Sequence, residues 1–437
     1  METNPIRVCE LLVGLPEVDV LGVDDDTDGP LRIHVEARGE RPTCPCCGGV
    51  VWRKDRNRVV LVDLPAFGRP VRLVWHKQRW ECPDEECPVG SFTVQASQIA
   101  PARAAMTDRA GRWVTEQVGR WGRTVSEVAR QLGCDWHTVN DAVIAYGTAL
   151  IDADVDRIGD VCALGLDETL FFKEGPWHTQ RWATSIVDVA ADGGARLLDV
   201  VAGRSAAGAS RWLAARPEAW RQAIRFGVLD LSGPYRKTFD DLLPDATQVV
   251  DPFHLIKLAN HKLDECRRRV QNETLGHRGR KDDPLYRARR LLTKAHERLD
   301  DAGDAKLVGL LRAGDPYGEV KTAWHAKEVI PEIYTIDDPN LASGFVAQLA
   351  EDLQDDSCPP EVNSLGRTLL RWHTQIVAWH RARVSNGPTE AINNLIKRIK
   401  RIGFGFRRFR NYRIRALLYA GRPNWDLLNT LTPAEIR

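Results

Sequence analysis

Three aspartates, Asp167, Asp230 and Asp251, each close a short run of alternating apolar residues, and a glutamate, Glu390, stands in the first turn of a helix. Carboxylates at strand ends are held rigidly by the sheet while the loops beyond them converge, which is where ligands and reacting groups collect. Turn and cap chemistry also places Asp there, and the helix macrodipole favours Glu near a helix start. What sets Glu390 apart is the rest of its helix. Helical spacing puts Glu390, Asn394, Lys397 and Arg401 on one stripe, with Ile392, Leu395, Ile396, Ile399 and Ile402 on the other face. An acid is therefore followed by a row of cations. Carboxylates able to hold two hard cations, beside a track that attracts a polyanion, are what metal-assisted phosphodiester chemistry needs. Lys397, Arg398, Lys400, Arg401, Arg407, Arg408 and Arg410 would contact phosphates without reading sequence. Phe404, Phe406 and Phe409 among them could stack on bases, although a core role is expected for most.

Cysteines supply a second constellation. Cys44 and Cys47 form a C-x2-C pair, and Cys82 and Cys87 a C-x4-C pair, with 34 residues between the pairs. Short spacing lets one tight turn present two soft thiolates to one ion, so the two pairs can close a tetrahedral zinc site. Four ligands would make that zinc structural. Cys46 lies inside the first pair and leaves the choice of ligand open. The insert carries Arg53, Lys54, Arg56, Arg58, Arg72, Lys77 and Arg79 among Trp52, Trp75 and Trp80, a mixture that suits phosphate contact or an ordinary small core with a basic exterior.

Between these constellations lies helix-turn-helix grammar. Thr124 and Glu127 form a capping box for a helix through Leu132, Gly133 and Cys134 make a turn, and Asp135 caps a second helix from Trp136. Ala129 falls where the helices would cross and Val139 where the second faces the core. The exposed first turn of that helix, Trp136, His137 and Asn140, is expected to meet base edges.

The elements that must hold these groups need several folded units, since 437 residues exceed one ordinary domain. An acidic turn at Asp24, Asp25, Asp26 and Asp28 leads into the alternating run 31–37, and the cysteine-rich part extends to about residue 100. Helical spacing covers 107–150. Alternating strands follow from 161 to about 253, including 181–190 and 195–203 around the turn Asp192-Gly193-Gly194. Helices then dominate to 383, SNGP at 385–388 breaks them, and the last helix starts at Pro388. The net charge of +1 favours no partner, yet residues 41–80 hold nine Lys and Arg against two Asp, and 397–415 hold nine against no acid. Such blocks attract nucleic acid. No stretch is long and apolar enough for a membrane span and the N-terminus lacks a signal-peptide core, so a cytoplasmic protein without membrane contact is expected. Five cysteines crowded at 44–87 fit a local metal site better than a disulfide framework.

Taken together, CPCC with CPDEEC, the helix-turn-helix, GLDET around Asp167, LDLSGPY around Asp230, VVDPFHLIK around Asp251 and the run from SNGPTE through FRNYRIR make the chain resemble bacterial insertion-sequence transposases of the DDE type, of the ISL3 family. The resemblance covers nearly the whole chain. It implies a multidomain α+β protein: an N-terminal zinc-binding domain at 1–100, a helix-turn-helix DNA-binding domain at 105–150, an RNase H-like core at 158–255, a helical insertion at 256–383, and the final glutamate helix with a basic tail at 384–437. The implied triad is Asp167, Asp230 and Glu390 with Mg²⁺ or Mn²⁺, supported by Asp251 and His254 in a D-x-x-H pattern. The implied zinc ligands are Cys44, Cys47, Cys82 and Cys87. Metal-activated water would cut at the element's ends to leave a 3′-hydroxyl, which would then attack target DNA. Terminal inverted repeats would be bound by the N-terminal domains, with a homodimer or higher oligomer holding two ends.

Other readings keep part of this picture. An RNase H-like nuclease or resolvase would share the acids and the basic track but need no end-specific N-terminal domains. A zinc and helix-turn-helix regulator would bind DNA without cutting it. A paired-carboxylate glycosidase leaves the cysteines and the cationic helix unexplained.

Overall fold

A computed structural model describes residues 2–15, 17–26 and 29–433, so Asp28 of the acidic turn lies outside the described residues. The chain divides into two units, Met1–Gly159 with Asn394–Arg437, and Asp160–Asn393.

In the first unit, strands β1 (Val18–Asp24), β2 (Leu31–Ala37), β3 (Trp52–Ala66) and β4 (Arg69–Glu81) form a sheet in the order β1-β2-β4-β3, with β5 (Ser91–Thr93) on the end of β4. Val18, Ile33, Val35, Leu61, Leu73, Trp75 and Ile99 make its core. A separate small core of Val51 and Trp80 surrounds Cys44 and Cys82. Part of the basic exterior of this sheet is paired with acids of the same unit. Lys54 pairs with Glu81 at 2.7 Å, Arg56 with Glu36 at 2.8 Å and Arg79 with Asp55 at 2.5 Å, while Arg72 donates to the carbonyl of Leu132 at 3.1 Å. A count of charges along 41–80 therefore overstates the free positive surface.

The expected helix-turn-helix is present as helices Val125–Leu132 and Trp136–Ala153. Glu127 N–H donates to Thr124 Oγ1 at 3.1 Å and Thr124 N–H to Glu127 Oε2 at 3.0 Å, the reciprocal pair of a capping box. Gly133 takes a φ of 61°, the left-handed cap that glycine tolerates. Asp135 accepts from Thr138 N–H at 2.9 Å. Val128, Leu132, Val139 and Val143 are buried. Helix Phe409–Ala420 crosses the longer helix closely, since a Cβ on Gly147 would stand 2.8 Å from Leu418 Cδ1 and 2.9 Å from Ile414 Cγ2.

The second unit is built on β6 (Ala163–Glu174), β7 (Thr179–Asp188), β8 (Arg196–Ala202), β9 (Phe226–Leu229) and β10 (Thr247–Val250), ordered β10-β9-β6-β7-β8. The first three are an antiparallel meander, and β9 and β10 add in parallel beside β6. This mixed sheet is the RNase H-like core. Between β10 and helix Gly387–Ile402 the described residues hold helices and no strand. Within that helical stretch Arg269 ties three helices by pairing with Glu319 at 2.5 Å and Glu361 at 2.8 Å. Among the described residues no helix is long and apolar enough to cross a membrane.

Candidate active site

Register decides which carboxylates meet. Leu166 pairs with Leu229, and Leu229 with Val250, across the three parallel strands. The next residue on each is an aspartate, so Asp167, Asp230 and Asp251 leave the sheet side by side. Asp167 differs from the sequence expectation in one respect. It does not end its strand, because β6 continues to Glu174 as a long hairpin with β7, where Asp167 pairs with Ser185. What ends at Asp167 is the parallel pairing with β9.

Helix Pro252–Leu275 starts directly after Asp251 and brings His254 back over the acids. His254 Nδ1 lies 3.1 Å from Asp251 Oδ2, and its Nε2 lies 3.0 Å from Asp230 Oδ2 and 3.7 Å from Glu390 Oε1. The imidazole thus joins three of the four acids. Burial pushes the Asp230 carboxyl up, and the neighbouring Asp167 charge adds to this, bringing it to about 7. Burial alone would lower His254, but the Asp251 hydrogen bond and the Asp230, Asp251 and Glu390 charges outweigh it and raise the ring above its ordinary value. For Asp251 burial is likewise outweighed, by His254 and the backbone N–H of Asn386, and its carboxyl is held low.

Two asparagines absent from the sequence expectation orient the acids. Asn386 donates from Nδ2 to Asp230 Oδ1 at 2.8 Å and from its backbone N–H to Asp251 Oδ1 at 2.8 Å. Asn393 donates from Nδ2 to Asp167 Oδ2 at 2.5 Å and accepts from Ser185 Oγ at 2.7 Å. Asn393 sits three residues after Glu390, a spacing that puts both on one helical face. The sequence stripe took the i+4 neighbour Asn394, which is exposed. The helix start lies tight on β6: a Cβ on Gly165 would stand 2.3 Å from Thr389 Oγ1 and 2.7 Å from Val189 Cγ1, both on packed side chains. Gly165→Ala is expected to cost about 1–3 kcal/mol of stability by pushing the start of the Glu390 helix off β6. Thermal melting equal to the parent's would refute this close packing.

The donors fit hard divalent cations, being carboxylate oxygens, and burial together with the Asp167 charge raises Asp230 among them. Among the described residues, however, the one set of three or more metal-ligating atoms within 4.8 Å of one another is Cys44, Cys47, Cys82 and Cys87. The Cys44 and Cys87 sulfurs lie 3.6 Å apart, as do those of Cys47 and Cys82, close to the ~3.8 Å that tetrahedral bonds of ~2.3 Å imply. Backbone N–H groups of Cys47 and Cys46 pull the Cys44 thiol down to about 6. Cys46 and Cys47 are both exposed, but the Cys47 sulfur lies in the set and that of Cys46 outside it.

Of the expected DNA-facing groups, Trp136 and His137 are exposed on the first turn of their helix. Asn140 is not: it is 8% exposed and donates to Asp141 Oδ1 at 3.1 Å. Its place one turn in, on the side of buried Val139 and Val143, removes it from the outer face. Lys397, Arg398, Arg401, Arg407, Arg408 and Arg410 are exposed and Lys400 half-buried. Phe406 and Phe409 are half-buried against Tyr412, with ring centroids 5.7 and 6.0 Å away, as a core role requires. Phe404 is 93% exposed.

Residues 40–87 match the zinc-finger of transposase IS204/IS1001/IS1096/IS1165, and 95–147 the helix-turn-helix domain of transposase family ISL3. The four clustered cysteines and the zinc-finger match identify a structural zinc site. The transposase for insertion sequence element IS1001 of Bordetella parapertussis is 25% identical over 390 residues, covering 88% of this chain and 90% of that protein. The transposase for insertion sequence element IS1557 of Mycobacterium tuberculosis is 26% identical over 355 residues, covering 75% and 74%. A solved chain of the Drosophila P element transposase strand transfer complex aligns with 75% of this chain and 94% of its own length, at 11% identity and a TM-score of 0.39. Residues 164–416, more than half of the sequence and including every carboxylate of the site, match a transposase family of the same ISL3 group, and with both companion domains ahead of them the chain belongs to the ISL3 family of insertion-sequence transposases.

Proposed function

We propose that the protein binds the terminal inverted repeats of its insertion sequence, cleaves DNA at the element's ends by metal-assisted hydrolysis, and joins the resulting 3′-hydroxyls to target DNA. Asp167, Asp230 and Glu390 are the carboxylates that would hold Mg²⁺ or Mn²⁺. The supporting observation is the alignment of Leu166, Leu229 and Val250, which delivers three aspartates to one edge, where His254 lies within 3.7 Å of Glu390. When bound, the cations would lower the pKa of the attacking water and stabilise charge on the scissile phosphate and leaving oxygen.

The chain's own residues prepare that edge. Asn386 and Asn393 each donate to one oxygen of Asp230 and Asp167, which limits rotation of the carboxylates. Asp251 holds the His254 ring through Nδ1 and directs Nε2 at Asp230 and Glu390, so both act as positioning residues. Trp136 and His137 would face base edges. Lys397, Arg398, Lys400, Arg401, Arg407, Arg408 and Arg410 would grip phosphates, a contribution that weakens steeply with salt. Holding two ends at once calls for at least a homodimer.

The test uses purified protein, a duplex carrying the element's own end with flanking DNA, and Mg²⁺ or Mn²⁺. Cuts at the element boundary that leave a 3′-hydroxyl, followed by joined products, are expected. Specific binding with no cut in either metal would instead make the chain a DNA-binding regulator.

A further inference from the structure

One cavity of the first unit opens beside Trp136, His137 and Arg408. It encloses about 430 Å³, within the ~300–1,000 Å³ range that holds a compact organic ligand. The start of helix Trp136–Ala153 supplies Trp136, His137 and Asp141, and the turn after the cationic helix supplies Phe404 and Arg408, with Arg415 also in its lining.

Arg415 is 3% exposed, and its Nε and Nη2 have no hydrogen-bond partner among the described residues. Its guanidinium lies 5.9 Å from the Phe406 ring centroid. Burial pulls it below the ordinary arginine value to about 10, which still leaves it charged at neutral pH. A buried cation without a partner is costly unless an anion arrives to pair with it. Phe404 shows a second cost. Its φ is 51°, a left-handed conformation that a bulky residue rarely takes, and it holds a nearly fully exposed ring beside the cavity. Trp136, 44% exposed, adds another aromatic surface to the lining. Aromatic surface, an unpaired guanidinium, and the polar groups of Asn140, Asp141 and Asn411 suit one ligand with a flat ring, a polar edge and a single anionic group. The Asp141 carboxylate suits an exocyclic amino group and works against a wholly anionic guest.

We propose that this cavity receives one nucleotide extruded from the bound DNA end, its base against Phe404 and Trp136 and its phosphate at Arg415. The proposal rests on the DNA-binding reading above and adds to it a strand distortion at the recognition helix. Extrusion costs unstacking and unpairing, so a base already unpaired is taken more easily, and aromatic stacking holds it whatever its identity.

The experiment measures binding of full-length protein to duplexes of the element's end in which a single mismatch is moved along the sequence. At one position, or two adjacent ones, the mismatch is expected to tighten binding about 10-fold or more. Phe404→Ala, an exposed change that the fold tolerates, is expected to bring that gain within about 2-fold while fully paired duplex is still bound, and Phe404→Trp to restore it. Arg415→Gln is expected to reduce the gain as well. Paired-duplex binding with no mismatch preference anywhere, or a preference that survives both Phe404→Ala and Arg415→Gln, would overturn the proposal and leave the DNA-binding reading standing. Failure of the parent to bind the paired duplex would remove both.

Discussion

Asp167→Asn, Asp230→Asn and Glu390→Gln are each expected to reduce metal-dependent strand cleavage roughly 10³-fold or more while binding to the element's end stays within about 2-fold. An amide keeps the shape of the side chain but loses the charge that holds a divalent cation. Loss of fold can be separated from loss of a ligand at Asp230. Its carboxyl is raised to about 7 by burial and the Asp167 charge. An acid whose folded value exceeds its unfolded value of about 3.9 costs stability at every pH above that unfolded value, and the cost is complete above the folded value. At neutral pH Asp230→Asn is therefore expected to melt no lower than the parent without metal, although it cannot cut. Asn386 can still donate to the new amide oxygen. Cleavage retained within 10-fold in any of the three variants would take that residue out of the proposed triad.

Cys44→Ser and Cys82→Ser are expected to empty the zinc site, and Cys46→Ser to leave it full. Structural zinc supplies about 10–16 kcal/mol to small metal-bound folds at neutral pH, far more than the few residues of its own core. That core is small here: Val51 and Trp80 with Cys44 and Cys82, and Cys87, Val89 and Phe92 at its edge. The large core around Leu73 and Trp75 is separate. Damage should therefore stay at the knuckle, seen as zinc content falling towards zero with proteolytic cuts gathered at 40–51 and 82–92 while the rest of the sheet resists. Full zinc content in Cys82→Ser would exclude it as a ligand, and loss of zinc in Cys46→Ser would contradict its exposed place outside the sulfur cluster.

Much of the site was readable before the fold was known. The aspartates stand after short apolar runs, and two of those runs, before Asp230 and Asp251, end as strands where the pattern placed them. Asp167 was misplaced relative to its strand because the pairing beyond it is made with β7, a partner that the local pattern near Asp167 does not reveal. Asn393 was missed for a related reason. Both i+3 and i+4 neighbours of Glu390 share its side of the helix, and only the packing against Ser185 and Asp167 selects Asn393 over Asn394.

The features determined by the sequence alone are those whose partners lie within a few residues. Thr124 and Glu127 cap each other across one helical turn, Gly133 supplies the left-handed cap, paired cysteines share a knuckle, and Ile392, Ile396 and Ile399 mark a buried helix face. Short-range hydrogen bonds and helical periodicity depend on spacing along the chain, so the order of residues is enough to specify them. Tertiary structure alone decided the alignment of Asp167 with Asp230 and Asp251, the choice of Cys47 over Cys46, the burial of Asn140, and the contrast between exposed Phe404 and the packed Phe406 and Phe409. Each of these depends on residues distant in the chain, as when Asn393 reaches Asp167 from 226 positions away. Spacing along a chain says nothing about such distances until strand register and helix packing bring the segments together.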